Sequence, residues 1–193
     1  MPLGGATFRR ARRFGVAGLL FVAAAWWLNS TGQPLPPPES LAPGQVERVV
    51  DGDTLRVVEA AGSVRTLRLL AVDAPESGQE GGAEAREFVA ARVCNAEVIW
   101  RSHGTDRYGR TVASVEVAGE DLGVLLVRNG LAWRVRRYLE GQPALLRDAY
   151  ESAWREARAA RVGMWAGEPQ PPWEWRRTNR PSSGHSVLCT DRR

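Results

Sequence analysis

Apolar residues, valine above all, recur among polar ones in two β-rich runs near the start of the central region, residues 45–50 (QVERVV) and 54–60 (TLRVVEA), and these predict β-strands. Asp51, Gly52 and Asp53 break the runs apart, a composition that suits a turn. A second turn at residues 60–63 leads to a third predicted strand over residues 64–72 (VRTLRLLAV), so the three form a meander. The pattern then changes. Ala85, Phe88, Val89, Arg92 and Val93 repeat at about 3.6 residues and predict a helix over 83–94. Two further strands, 97–102 and 111–117, flank a polar loop. A short helix over 121–129 turns Leu122, Leu125 and Leu126 inward and stops at Asn129-Gly130. The longest helix, 143–162, carries a stripe of Leu146, Ala149, Tyr150, Ala153, Ala157 and Ala160 and ends at Gly163. No internal repeat is visible.

Five short strands with a helix between the third and fourth match the order of an OB-fold barrel. The expected fold is therefore mainly β with α: a five-stranded OB-fold barrel with three helices packed outside it. This domain is expected to span residues 42–167, with a tail of Trp and Arg residues over 168–193.

What precedes the barrel reads differently. Residues 1–14 are basic, with Arg9, Arg10, Arg12 and Arg13, and residues 14–28 are an unbroken apolar run of 15. At helical rise that run is about 22 Å long, short of a hydrocarbon core of about 30 Å. Two readings stay open for residues 1–28. Ala23, Ala24 and Ala25 offer a signal-peptidase site before Trp26, whereas Trp26 and Trp27 suit the interfacial belt of an uncleaved anchor. Either reading sends the rest of the chain outward, to an exported location, tethered through residues 14–28 if uncleaved. The linker over 29–41 is proline-rich and stiff.

Net charge adds less than it first suggests. The formal charge is +4, and all 26 basic residues are Arg. Residues 42–167, however, hold 17 Arg against 18 Asp and Glu, so bulk charge does not argue for nucleic-acid binding and a local site is required. An arginine's planar fork matches phosphate oxygens, which makes each well-placed Arg a candidate phosphate clamp. Cys94 and Cys189 have no ligand pattern for zinc, and they read equally as a disulfide or as two free thiols.

Three segments carry candidate chemistry: DGDT (51–54), LRLLAVDAPE (67–76) and TDRYGR (105–110). Asp53 opens the second strand and Asp73 closes the third, and antiparallel pairing brings those ends to one rim. Two carboxylates there invite a hard cation with oxygen ligands. Arg68 and Arg110 facing them make an arrangement for a phosphate ester, and Glu76 is placed to orient or deprotonate water. An Arg–carboxylate ion-pair network would use the same residues.

These segments, in order and followed by LVRNGLA (126–132) and GMW (163–165), resemble the staphylococcal nuclease (thermonuclease-like) family over about residues 44–166. The resemblance implies that Asp53, Asp73 and the carbonyl of Ala74 ligate Ca²⁺. It implies that Glu76 is the general base or water-orienting group, and that Arg68 and Arg110 bind phosphate and stabilise the transition state. Arg107 and Tyr108 match positions that touch a substrate phosphate. The implied reaction is hydrolysis of the 5′ P–O bond of single-stranded or locally unpaired DNA and RNA, leaving 3′-phosphates, by a protein expected to be a monomer.

The chain departs from the family in places. Ala74 stands where the staphylococcal enzyme has Thr, which keeps a carbonyl ligand and removes a hydroxyl. WRVRRY (133–138) leaves base stacking to Tyr138 or to arginine contact. In the tail, Trp173 and Trp175 read as packing over an apolar patch or, with their neighbouring arginines, as a nucleic-acid contact. His103 and His185 are assigned no role. The alternative to a nuclease is a catalytically silent OB-fold module that binds nucleic acid or protein while tethered to a membrane. Binding-only domains usually lack part of the set Asp53, Arg68, Asp73, Glu76 and Arg110, and this chain has all five.

Overall fold

The computed structural model describes residues 41–179 and 186–189. The apolar segment at 14–28, the linker up to residue 40 and His185 lie outside the described residues. Among the described residues, no helix is long and apolar enough to cross a membrane.

The meander forms as its β-rich runs predict. Strand β1 (Ala42–Asp51) pairs antiparallel with β2 (Thr54–Glu59), and β2 pairs antiparallel with β3 (Val64–Leu69). Strand β5 (Glu97–Thr105) pairs with β6 (Thr111–Val117) as a hairpin. Two contacts close the barrel. Strand β3 runs parallel to β6, with Leu67 opposite Thr111, and the first residues of β1 pair with β5, with Ala42 opposite Trp100. The long β1 thus hydrogen-bonds to both neighbours and completes a five-stranded mixed barrel with no free edge between them. Alternate residues fill it: Val49, Leu55, Val57, Leu67, Val98 and Val115 are essentially inaccessible.

Helix α1 (Gly82–Val93) buries Ala85, Val89 and Val93 against this core, while Phe88 is half-buried beneath the Arg92 guanidinium. Helix α2 (Leu122–Arg128) starts at Asp121, whose carboxylate accepts the Val124 amide at 2.8 Å as an N-cap. Helix α3 (Ala144–Ala160) packs along α2 with Tyr150, Ala153 and Ala157 inward. The predicted stripe overreaches at Ala160, which is exposed in the last turn.

The third strand is shorter than its pattern predicts. It stops at Leu69, Ala71 takes a left-handed conformation with φ 57°, and a separate β4 (Val72–Asp73) follows. Leu70, Ala71 and Val72 are all buried, which a pleated strand with one face inward does not allow, so the chain turns instead. Strand β4 pairs with β8 (Trp133–Arg134), while β7 (Glu120–Asp121) turns back and pairs antiparallel with the end of β6.

A fourth helix joins the three expected. Residues of the tail form α4 (Pro172–Thr178), with Pro172 at its first turn where a missing amide costs nothing. Trp173 packs edge-on against Trp133 at 5.3 Å, and Trp133 in turn against Trp165 at 4.8 Å, so the packing reading of the tail tryptophan is the one observed. Strand β9 (Val187–Leu188) then pairs with β1, and Cys189 is disulfide-bonded to Cys94 with Cα atoms 4.7 Å apart.

Candidate active site

The DGDT turn is built by its own side chains. Asp51 Oδ1 accepts the Asp53 amide at 3.0 Å, an Asx-turn that fixes the loop between β1 and β2. Gly52 is required here for space rather than for an unusual φ. A Cβ on it would meet the Ala74 Cβ at 2.7 Å and the Ala85 Cβ at 2.8 Å. The turn therefore lies pressed between α1 and the chain leaving β4, and that contact carries Asp53 toward Asp73.

The two aspartates meet at one rim. Thr54 pairs with Arg68 across β2 and β3, and the Leu69 amide donates to the Asp53 carbonyl at 2.8 Å. Asp53 Oδ2 accepts the Ala74 amide at 2.8 Å, which ties the DGDT turn directly to the segment after β4. Asp73 reaches this rim from β4 rather than from the end of β3. Each aspartate is only 6% exposed, and with Thr54 they are the buried polar or charged residues of the described chain. Arg68 bridges them, Nη1 to Asp53 Oδ2 at 2.5 Å and Nη2 to Asp73 Oδ1 at 2.9 Å.

Burial pushes the Asp53 carboxyl up to about 7, against the pull of Arg68, and the nearby Asp51 charge adds to the rise. Burial also opposes the charge on Arg68, but Asp53 and Asp73 outweigh it and hold its pKa above the ordinary value. The rim thus carries more buried negative charge than Arg68 alone compensates.

Glu76 follows three residues after Asp73, half-buried, in a loop where its amide donates to Gln79 Oε1 at 3.2 Å. Arg110 stands in the loop between β5 and β6. Gly109, with φ 80°, allows the sharp turn there. Arg110 does not touch the two aspartates directly, contrary to the simplest reading of facing pairs. Asp106, four residues earlier in the same loop, takes its Nε at 2.8 Å, and its Nη1 donates to the Thr54 hydroxyl at 3.3 Å. That hydroxyl donates in turn to Asp53 Oδ1 at 3.1 Å, so Arg110 is joined to the aspartates through Thr54. Asp106 sits below the usual carboxylate range. Burial would raise it, but hydrogen bonds from the Arg110 backbone and side chain and from the Tyr108 amide prevail.

Arg107 and Tyr108 sit on the outer side of this loop, with Tyr108 68% exposed and its hydroxyl accepting from Arg107 at 2.6 Å. Tyr138 is exposed too, in the 3₁₀ turn Arg136–Tyr138 just beyond β8, and β8 pairs with the strand that bears Asp73. The structure brings together Asp53, Arg68, Asp73, Ala74 and Glu76 in direct contact or close succession. It adds Arg110 through one bridge and leaves Arg107, Tyr108 and Tyr138 on flanking surface.

Three residues of the site escape the sequence reading. Thr54 was in view as the last letter of DGDT and Asp106 as part of TDRYGR, yet neither announces its partner locally. Arg176 was in view only as one of two arginines beside the tail tryptophans, with nothing local to join it to the rim. It arrives from α4 and donates to Asp73 Oδ2 at 2.8 Å and to Glu76 Oε1 at 2.6 Å, contacts that span 103 and 100 residues.

Among the described residues no three His, Cys, Asp or Glu side chains converge into a ready-made metal cage. The donors present are nonetheless those of a hard cation: two adjacent buried carboxylates and a backbone carbonyl after the second. Asp53 and Asp73 are both buried and meet at one rim, so the donor set fits such an ion.

Carboxylates set against arginines at a barrel rim suit the charge of a phosphate ester. The sequence profile described as "Staphylococcal nuclease homologue" matches residues 66–167. The chain is 36% identical over 147 residues to the "Micrococcal nuclease" of Shigella flexneri, covering 71% of this chain and 82% of that one. It is 37% identical over 146 residues to "Protein ParB" of Escherichia coli (69% and 78%) and 35% identical over 135 residues to an "Uncharacterized endonuclease" of Escherichia coli O157:H7 (69% and 84%). The chain belongs to the staphylococcal nuclease family, and as such is a phosphodiester hydrolase built on an OB-fold barrel.

Proposed function

We propose that the protein is a Ca²⁺-dependent nuclease, exported or held at a membrane by its N-terminal segment, that hydrolyses single-stranded or locally unpaired DNA and RNA at the 5′ P–O bond and leaves 3′-phosphates. The observation that carries this reading is the pairing of Asp53 and Asp73, both buried at one rim with Arg68 across them.

Asp53, Asp73 and the Ala74 carbonyl would hold the cation. When bound, Ca²⁺ supplies positive charge against the charge that develops on phosphorus. Arg68 holds a phosphate oxygen from inside the rim, and Arg110 holds another from the loop side, each by a guanidinium fork. Asp106 and Thr54 aim Arg110 and limit the rotamers it loses on binding. Glu76 accepts a proton from water or orients it as its oxygen joins phosphorus, and the 5′ oxygen leaves and is protonated. Arg107 and the exposed Tyr108 touch a substrate phosphate from the loop, and Tyr138 offers an exposed ring on which an unpaired base stacks, a contact that tolerates any sequence. The nuclease domain is assigned to residues 42–167.

The full chain is to be incubated with denatured DNA, in Ca²⁺ and in chelator, beside Arg110→Ala and Glu76→Gln. Cleavage that needs Ca²⁺ and falls by several orders of magnitude in Arg110→Ala is expected. Equal activity in that variant would overturn the mechanism, and product end-group analysis checks the 3′-phosphate. Mass spectrometry of the exported form distinguishes a chain beginning at Trp26 from one with an intact anchor.

A further inference from the structure

Arg176 is the third arginine at the rim, and the proposed chemistry uses only two. Its guanidinium grips Asp73 with both arms, Nη2 on Oδ2 at 2.8 Å and Nη1 on Oδ1 at 3.2 Å, and Nη1 also reaches Glu76 Oε1 at 2.6 Å. One side chain therefore covers a proposed cation ligand and the proposed base together.

The remaining carboxylate oxygens are covered as well. Asp73 Oδ1 also accepts Arg68, Asp53 Oδ1 accepts the Thr54 hydroxyl, and Asp53 Oδ2 accepts the Ala74 amide beside Arg68. Asp53 Oδ1 and Asp73 Oδ2 each take a single donor, so lone pairs remain; what opposes a divalent cation on Asp73 is the positive charge of the arginines beside it, and one of them has to withdraw. Arg68 is poorly placed to do so: it is rooted in β3, its side chain is 17% exposed, and it pairs with both aspartates. Arg176 projects from a seven-residue helix outside the barrel with its side chain 37% exposed. Its charge would also oppose a cation sharing Asp73 with it. Arg176 is the donor that leaves at least cost.

We propose that Arg176 is a tethered internal cation that fills the divalent-cation site, so that loading the site requires this arginine to withdraw from Asp73 and Glu76. The inference rests on the cation-site reading given above. Withdrawal does not free the tail. Trp173 rests on Trp133, Gln79 Nε2 donates to the Gln170 carbonyl at 2.6 Å, and the chain returns to the barrel at β9 and the Cys94–Cys189 bond. The displaced guanidinium stays close, at high effective concentration, and re-enters when the cation departs. While it is seated, Glu76 Oε1 is occupied by a donor and is not open to a proton from water.

The test is calorimetric titration of Ca²⁺ alone into the full chain, Arg176→Gln and Arg177→Ala, the last a neighbour on the same helix with no bond to the rim carboxylates. Arg176→Gln is expected to bind Ca²⁺ about tenfold more tightly than wild type, the worth of about 1.4 kcal/mol, with Arg177→Ala unchanged. In the wild-type chain, saturating Ca²⁺ is expected to shift the NMR signal of the Arg176 side-chain Nε–H and to leave that of Arg177 in place. Equal or weaker binding by Arg176→Gln, or an unshifted Arg176 signal at saturating Ca²⁺, overturns the proposal while leaving the cation site in place. Absence of Ca²⁺ binding in every variant removes the cation site itself, and the proposal with it.

Discussion

Thr54 joins two charged groups that do not touch. Its hydroxyl accepts from Arg110 and donates to Asp53, and it is 3% exposed. Thr54→Val keeps the branched shape in the barrel and removes only the link. The expected result is a loss of about tenfold in kcat/KM on single-stranded DNA, about 1.4 kcal/mol of transition-state binding, with a melting temperature close to wild type. Steady-state kinetics and thermal melts of the pair check it. Asp53 gives the pH prediction at this scale. Its pKa in the folded chain, about 7, lies above its ordinary value of 3.8, because burial disfavours the charged form. A group raised in this way contributes stability that is fully present below pH 3.8 and is lost as pH rises through 7. In chelator, the stability of wild type relative to Asp53→Asn is therefore expected to fall between pH 4 and pH 8. Denaturant melts across that range check the sign, and a difference that grows with pH would contradict it.

Among the elements, one hydroxyl joins α3 to both the barrel and α2, within the apolar contacts of Tyr150, Ala153 and Ala157. Tyr150 is 1% exposed, and its hydroxyl donates to the Leu70 carbonyl at 3.1 Å and lies 3.1 Å from Asp121 Oδ1, the carboxylate that caps α2. Burial, reinforced by the Asp121 charge, holds the phenol pKa well above its usual value. Burial also raises Asp121 despite the hydrogen bonds it accepts. One oxygen thus fixes the turn after β3, the start of α2 and the middle of α3. Tyr150→Phe leaves the Leu70 carbonyl without that donor and is expected to cost about 1–3 kcal/mol, measured by urea unfolding at pH 7. The helix itself was legible, since the 3.6-residue stripe names Tyr150, Ala153 and Ala157. The end of β3 was not. Its apolar letters continue through Val72, and only the fold, with Leu70, Ala71 and Val72 all buried and the Leu70 carbonyl held by Tyr150, shows that the strand turns at Ala71.

For the whole molecule, the tail closes the fold. The Cys94–Cys189 bond spans 95 residues and fastens the chain just after β9 to the end of α1, while β9 itself pairs with β1. A cross-link over a loop of that size is expected to add about 4 kcal/mol by restricting the unfolded chain. Reduction, or replacement of both cysteines by Ala, is expected to lower stability by that order while far-ultraviolet circular dichroism keeps its folded form. Unfolding curves with and without reductant measure the difference.

The sequence alone determined what short-range patterns determine. Runs of β-forming residues broken by turns marked the meander and the hairpin, helical spacing marked the three main helices, and DGDT, DAPE and DRYGR held carboxylates and arginines in the order of a phosphodiester hydrolase. These follow from residues within one strand, turn or helix, where neighbours along the chain are also neighbours in space. The tertiary structure alone decided the rest: that β3 and β6 close the barrel in parallel, that Asp73 sits on β4 against β8, that Cys94 meets Cys189, and that Arg176 enters the rim from α4. Each of these joins residues separated by tens of positions, and their meeting depends on the path of all the chain between them. Arg176 is the sharpest case. No local pattern separates it from Arg177 beside it, and only the seating of α4 against Trp133 gives one of them to Asp73 and Glu76.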